Sequence, residues 1–197
     1  MIKRFSRFIC ACSITLALIG SAKAYVYAAC PITSSTSDAL STSVSQRYSM
    51  LPSSVSTCFE NCGWQIIIVD NASINSFAGL QLPEGYGLSG CTKFSAKTIA
   101  LSNISDFSYT SINHEVGHFV DGVLSTRNGE TAASLRSDFQ TIYQAEKSSI
   151  SDPYYTANAT EYFAESFKAY VENPTALQQS APQTYTYINN IVSTYAY

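Results

Sequence analysis

The segment Ser111-Ile112-Asn113-His114-Glu115-Val116-Gly117-His118-Phe119-Val120-Asp121 holds both histidines of a 197-residue chain, spaced four apart around a glutamate. On a helix, positions i and i+4 lie one above the other, so two imidazoles placed this way can bind one metal ion. Glu115 then stands close enough to activate a metal-bound water. Chance puts such an HExxH string in roughly one chain of a few hundred with ordinary composition. Here Ile112, Val116, Phe119, Val120 and Val123 recur at helical spacing, which supplies the amphipathic helix that the metal geometry needs.

Two histidines leave a zinc ion short of a third protein ligand and an open position for water. The chain has no third histidine, and Asp121 and Leu124 stand where the longer metzincin motif requires Gly and His. The missing ligand is therefore a carboxylate. Asp121, one turn beyond His118, reads as a hydrogen-bond partner that orients an imidazole. Glu130, Asp138, Glu146 and Asp152 fall in polar stretches that read as solvated faces, and Glu172 stands at an exposed helix end beside Asn173-Pro174. Glu161 and Glu165 differ. They form an i, i+4 pair among Tyr162, Phe163, Ala164, Phe167 and Tyr170, where charged carboxylates need partners, and a metal plus a metal-bound histidine would supply them.

The elements that must position these groups follow from periodicity. Leu40, Val44, Tyr48 and Leu51 predict a helix capped near Thr36 or Ser37, followed by a short one begun at Pro52. The β-branched run Trp64–Val69 predicts a buried strand closed by Asp70-Asn71. Residues 79–95 carry four of the nine glycines and read as a loop or irregular hairpin, and 97–102 as a second strand. After Asp106, a candidate cap, helices are predicted near 107–125, 130–148, 158–172 and 183–195. Strands come early and helices alone follow, an α+β order with a small N-terminal sheet and a mostly helical C-terminal half.

Composition narrows the setting. Lys3, Arg4 and Arg7, an apolar stretch from Phe8 to Gly20, and Ala22-Lys23-Ala24 make residues 1–24 a secretory signal peptide, leaving one domain over 25–197. The apolar run is too short for a membrane span. Cleavage after Ala24 leaves seven basic residues against fourteen acidic ones, a formal charge of about −7, which argues against nucleic acid or anionic membrane as partner. Cys30, Cys58, Cys62 and Cys91 remain, an even number in an exported chain. They suggest two disulfides, with Cys62–Cys91 and Cys30–Cys58 the favoured pairs. A zinc site built from these four lacks the paired CxxC knuckles.

His114-Glu-Val-Gly-His118-Phe-Val-Asp121, followed by Asn158-Ala-Thr-Glu161-Tyr-Phe-Ala-Glu165-Ser-Phe167, resembles the catalytic domain of anthrax lethal factor and the related secreted Pro-Pro endopeptidases of Gram-positive bacteria. Ala181–Asn189 resembles the final helix of lethal factor. The likeness is firm over 111–191 and loose over 37–104. It implies a zincin-like metalloprotease fold with one Zn2+ per chain, held by His114, His118 and Glu161. It also implies Glu115 as general base, Glu165 as a hydrogen-bond partner of the metal-bound histidines, and Tyr154 beside the reacting carbonyl. The cysteines and the glycine-rich segment do not align with either relative, which leaves specificity open.

The reading that follows is a secreted, monomeric zinc endopeptidase. It would hydrolyse extended peptide or protein substrates, proline-rich ones included, with a zinc-bound water and Glu115 as base. The strand at 97–103 is expected to be the edge that pairs with substrate. The competing reading is an exported, non-catalytic module stabilised by zinc, or a degenerate protease. The intact Glu115 argues against both, because a structural site needs no base.

Overall fold

Ile66, Ile67, Ile68 and Val69 form strand β3 (Gln65–Val69), paired in parallel with β2 (Ile32–Ser35) on one side and β5 (Thr98–Ser102) on the other. Strand β4 (Gly90–Lys93) runs antiparallel to β5, so the irregular hairpin expected in the glycine-rich stretch is present. At the far side β1 (Phe8–Ile9) pairs antiparallel with β2, giving the order β1-β2-β3-β5-β4. The computed structural model describes residues 8–9, 32–35, 38–81, 87–103 and 108–194. The rest of the expected leader, Cys30, and the caps anticipated at Thr36, Ser37 and Asp106 lie outside the described residues.

Two expectations change here. Strand β5 is flanked on both sides and all five of its residues are buried, so it is not the edge; β4 is. The residues that close β3 also start a helix, α3 (Asn71–Ala78). Asp70 caps it by accepting from the Ser73 amide at 2.8 Å, and Gly79 ends it in the left-handed conformation.

The other early helices are α1 (Asp38–Tyr48), which buries Leu40, Val44 and Tyr48, and α2 (Ser53–Asn61), which starts after Pro52. The motif helix α4 (Ser108–Phe119) continues into a π-helical turn, Val120–Leu124. Then come α5 (Ser137–Glu146), α6 (Ala159–Glu172), α7 (Pro174–Ser180) and α8 (Pro182–Thr194). The Asn173-Pro174 break separates α6 from a short helix rather than from a loop, because proline is well tolerated at a first helical position. The α+β order is as expected. Among the described residues no helix is long and apolar enough to cross a membrane.

Phe119 ties the motif helix to the N-terminal half. Its ring meets Phe59 edge-on at 5.0 Å and Trp64 at 5.2 Å, all three buried. Glu146 is not on a solvated face. It is buried, and its carboxylate accepts from the amides of Gln183 and Thr184 and from the Thr184 hydroxyl, capping α8. Glu172 is likewise engaged, by Arg47 at 2.6 Å and Asn113 at 3.0 Å.

The favoured Cys62–Cys91 pair is not formed. Cys58 and Cys62 lie one helical turn apart, so their sulfurs face each other at 3.7 Å as thiols. Cys91 packs on the opposite side of β4, with the cluster of Val69, Ile74 and Ala100.

Candidate metal centre

Helices α4 and α6 cross with almost nothing between them. A Cβ on Gly117 would lie 2.7 Å from both Cα and O of Ala164, so only glycine lets the two backbones come this close. That approach puts the faces carrying His114 and His118 against the face carrying Glu161 and Glu165. Asn158 fixes the start of α6, its side chain accepting from the amides of Thr160 and of Glu161 itself.

One ligand atom each from His114, His118 and Glu161 lies within 4.8 Å of the others. Glu161 Oε2 is 3.2 Å from His114 Nε2 and 3.8 Å from His118 Nε2. The oxygen is buried, yet neither approach has hydrogen-bond alignment. Three donor atoms converging on one point without bonding one another are arranged for a cation. Charge agrees: Glu115, Glu161 and Glu165 cluster here with one nearby lysine, Lys168. A divalent metal fits this donor set.

The surroundings orient the first histidine. Glu165 Oε2 lies 3.0 Å from His114 Nδ1, and its other oxygen accepts from Lys168 at 2.7 Å. Tyr155 packs against His114 with the rings tilted by 53° and their centroids 5.1 Å apart, beneath Lys168. Burial disfavours a charged His114, but the adjacent carboxylates of Glu161 and Glu165 outweigh it and raise the imidazole to about 9. Burial and the neighbouring His114 push His118 down to about 4. Burial raises the Glu115 carboxyl, with His114 and the Thr92 hydroxyl pulling the other way.

Residues 95–191 match the family described as anthrax toxin lethal factor, N- and C-terminal domain. In fold, the chain is similar to a Pro-Pro endopeptidase from Paenibacillus alvei, with a TM-score of 0.59 and 23% identity. The alignment covers 80% of this chain and 93% of that one, so the α+β fold is shared over most of both. No curated protein matches the chain.

The family segment also carries Asp121, and here the expectation is corrected. Asp121 does not orient an imidazole. Its oxygens accept from the Ser134 amide at 2.7 Å and the Ser134 hydroxyl at 2.6 Å. The chain widens into the π turn at Val120, which swings the following residue away from the histidine face. Ser134 in turn touches the Thr160 hydroxyl at 3.2 Å, beside Glu161.

A cleft of about 490 Å³ opens over the centre, with Gly90, His114, Glu115, Tyr154, Tyr155 and Lys168 among its lining residues. Tyr154 is 61% exposed. Desolvation and then the Glu161 and Glu115 carboxylates raise its phenol to about 12, so it stays a hydrogen-bond donor. Gly90, Thr92, Tyr155 and Lys168 were not legible as site residues. Gly90 and Thr92 reach the centre through strand pairing and Tyr155 through loop placement, and only Lys168, three residues after Glu165 on α6, carried a local spacing signal.

Proposed function

We propose that this chain is a secreted zinc endopeptidase that cleaves extended peptide substrates. The observation that carries the reading is the convergence of His114, His118 and Glu161 on one point, with Glu115 beside them at the floor of an open cleft. His114, His118 and Glu161 would hold the zinc, which when bound acidifies water and polarises a carbonyl.

The chain's own groups do the rest. Glu115 takes the proton of the attacking water and passes it to the leaving amine. Tyr154, protonated and facing the same carboxylates, donates to the oxygen that gains charge as the carbonyl becomes tetrahedral. Glu165 accepts from His114 Nδ1–H, which turns the Nε2 lone pair toward the centre. Strand β4 offers the free edge along which an extended peptide can pair by main-chain bonds. The fold shared with an enzyme named for Pro-Pro cleavage makes proline-rich peptides the first substrates to try. Export follows from the leader over residues 1–24, and the mature enzyme acts as a monomer.

A peptide-library digest by wild type and Glu115→Ala, with zinc measured in both, tests the reading. Wild type should cleave and Glu115→Ala should not, each with one zinc per chain. Zinc binding without cleavage by wild type would leave a zinc-stabilised binding module instead.

A further inference from the structure

Glu115 is held from the strand side as well as from its own helix. Thr92 of β4 places its hydroxyl 2.7 Å from Glu115 Oε2 and 3.0 Å from the Glu115 carbonyl, so its one proton is shared between them. Two residues earlier on the same face, Gly90 lies directly over the carboxyl. A Cβ there would sit 2.6 Å from Glu115 Cγ and 2.7 Å from Cδ, and would collide with Oε1. The absent side chain at 90 and the hydroxyl at 92 together leave the carboxyl one place to lie.

The same two residues present the free edge. The Ser102 amide donates to the Ser89 carbonyl at 3.0 Å, which makes Ser89 and Ser102 a hydrogen-bonded pair of the antiparallel ladder. The register Gly90↔Leu101, Cys91↔Ala100, Thr92↔Ile99 then alternates. Gly90 and Thr92 fall at non-hydrogen-bonded positions, so their amides and carbonyls point away from β5. A docked strand would bond to the backbone of the residues that confine Glu115.

We propose that Gly90 and Thr92 are positioning residues that fix the Glu115 carboxyl against the edge on which the peptide docks. This rests on the endopeptidase reading above. Thr92→Val keeps the shape and removes the hydroxyl; Thr92→Ser keeps the hydroxyl; Gly90→Ala adds the obstructing methyl group. All three should melt near the wild-type temperature and bind one zinc. For a peptide taken from the library digest, Thr92→Val should lower kcat about tenfold or more, as loss of a supporting hydrogen bond does at metal sites. KM should change little. Thr92→Ser should recover most of the rate, and Gly90→Ala should fall with Thr92→Val. A crystal structure of Thr92→Val should show the Glu115 carboxyl displaced.

Wild-type kcat in Thr92→Val, or an unmoved carboxyl, overturns the proposal. So does a rise in KM alone, which would make Thr92 a docking residue only, or loss of zinc or fold, which would make it structural. If wild type cleaves no peptide, the endopeptidase reading fails and this inference goes with it. If wild type cleaves and Thr92→Val matches it, only the positioning role is lost.

Discussion

Gly117 of the motif helix rests against the backbone of Ala164, at the point where the helix bearing two histidines crosses the helix bearing Glu161. The distance between these residues sets the distance between the ligands. Gly117→Val should push the helices apart, cost about 1–3 kcal/mol as overpacking does, and weaken zinc binding. Thermal melting and metal titration of the variant check this. A variant with wild-type stability and zinc affinity would show that the crossing does not control the centre.

The ligand set and the base should separate cleanly. His114→Ala, His118→Ala and Glu161→Ala should each lose zinc, whereas Glu115→Ala should keep it and lose cleavage. Glu165→Ala removes the 3.0 Å partner of His114 Nδ1 and should weaken affinity roughly tenfold to a hundredfold. Metal analysis of the five purified variants decides the matter, and zinc loss in Glu115→Ala alone would make that residue a ligand rather than a base.

Local signals carried the chemistry and failed on assembly. The i, i+4 histidines and the acidic pair among aromatic residues could be read because each is a spacing on one helix. Helix α3 was missed although Asp70 and Gly79 bracket it, since Ala-Ser-Ile-Asn-Ser-Phe buries only Ile74 fully and half of it is Ser and Asn, which favour caps and turns. Strand β2 lay hidden in a Ser/Thr-rich stretch. The edge position of β4 was beyond local reading. It depends on which strands pair, and the short run Gly-Cys-Thr-Lys has no pattern of its own.

Asp121 now predicts stability rather than metal affinity. Asp121→Ala leaves the buried amide of Ser134 without its acceptor and the Ser134 hydroxyl with only Thr160 to bond, at about 1–3 kcal/mol for the stranded amide. The variant should melt at lower temperature and, while folded, still bind one zinc per chain. Calorimetry and metal analysis together check it. Full stability with zinc lost would return Asp121 to the role of an imidazole partner.

Tyr154 and Tyr155 are adjacent, with rings 5.2 Å apart and nearly perpendicular, so they cannot serve the centre in the same way. Tyr155 lies with its ring against His114 and under Lys168, and its contribution is a packed face that phenylalanine would preserve. Tyr154 stands open to the cleft with its phenol under the influence of Glu161 and Glu115, two carboxylates of the expected reaction centre. A neutral donor there meets the oxygen that gains charge during attack and finds little to bind beforehand. Tyr154→Phe should therefore keep zinc and fold, leave KM nearly unchanged, and lower kcat roughly a hundredfold, about 2.7 kcal/mol of transition-state stabilisation. Tyr155→Phe should stay close to wild type. Steady-state kinetics of the two variants on one peptide settle the assignment, because equal kcat for wild type and Tyr154→Phe removes Tyr154 from the mechanism whatever Tyr155 does.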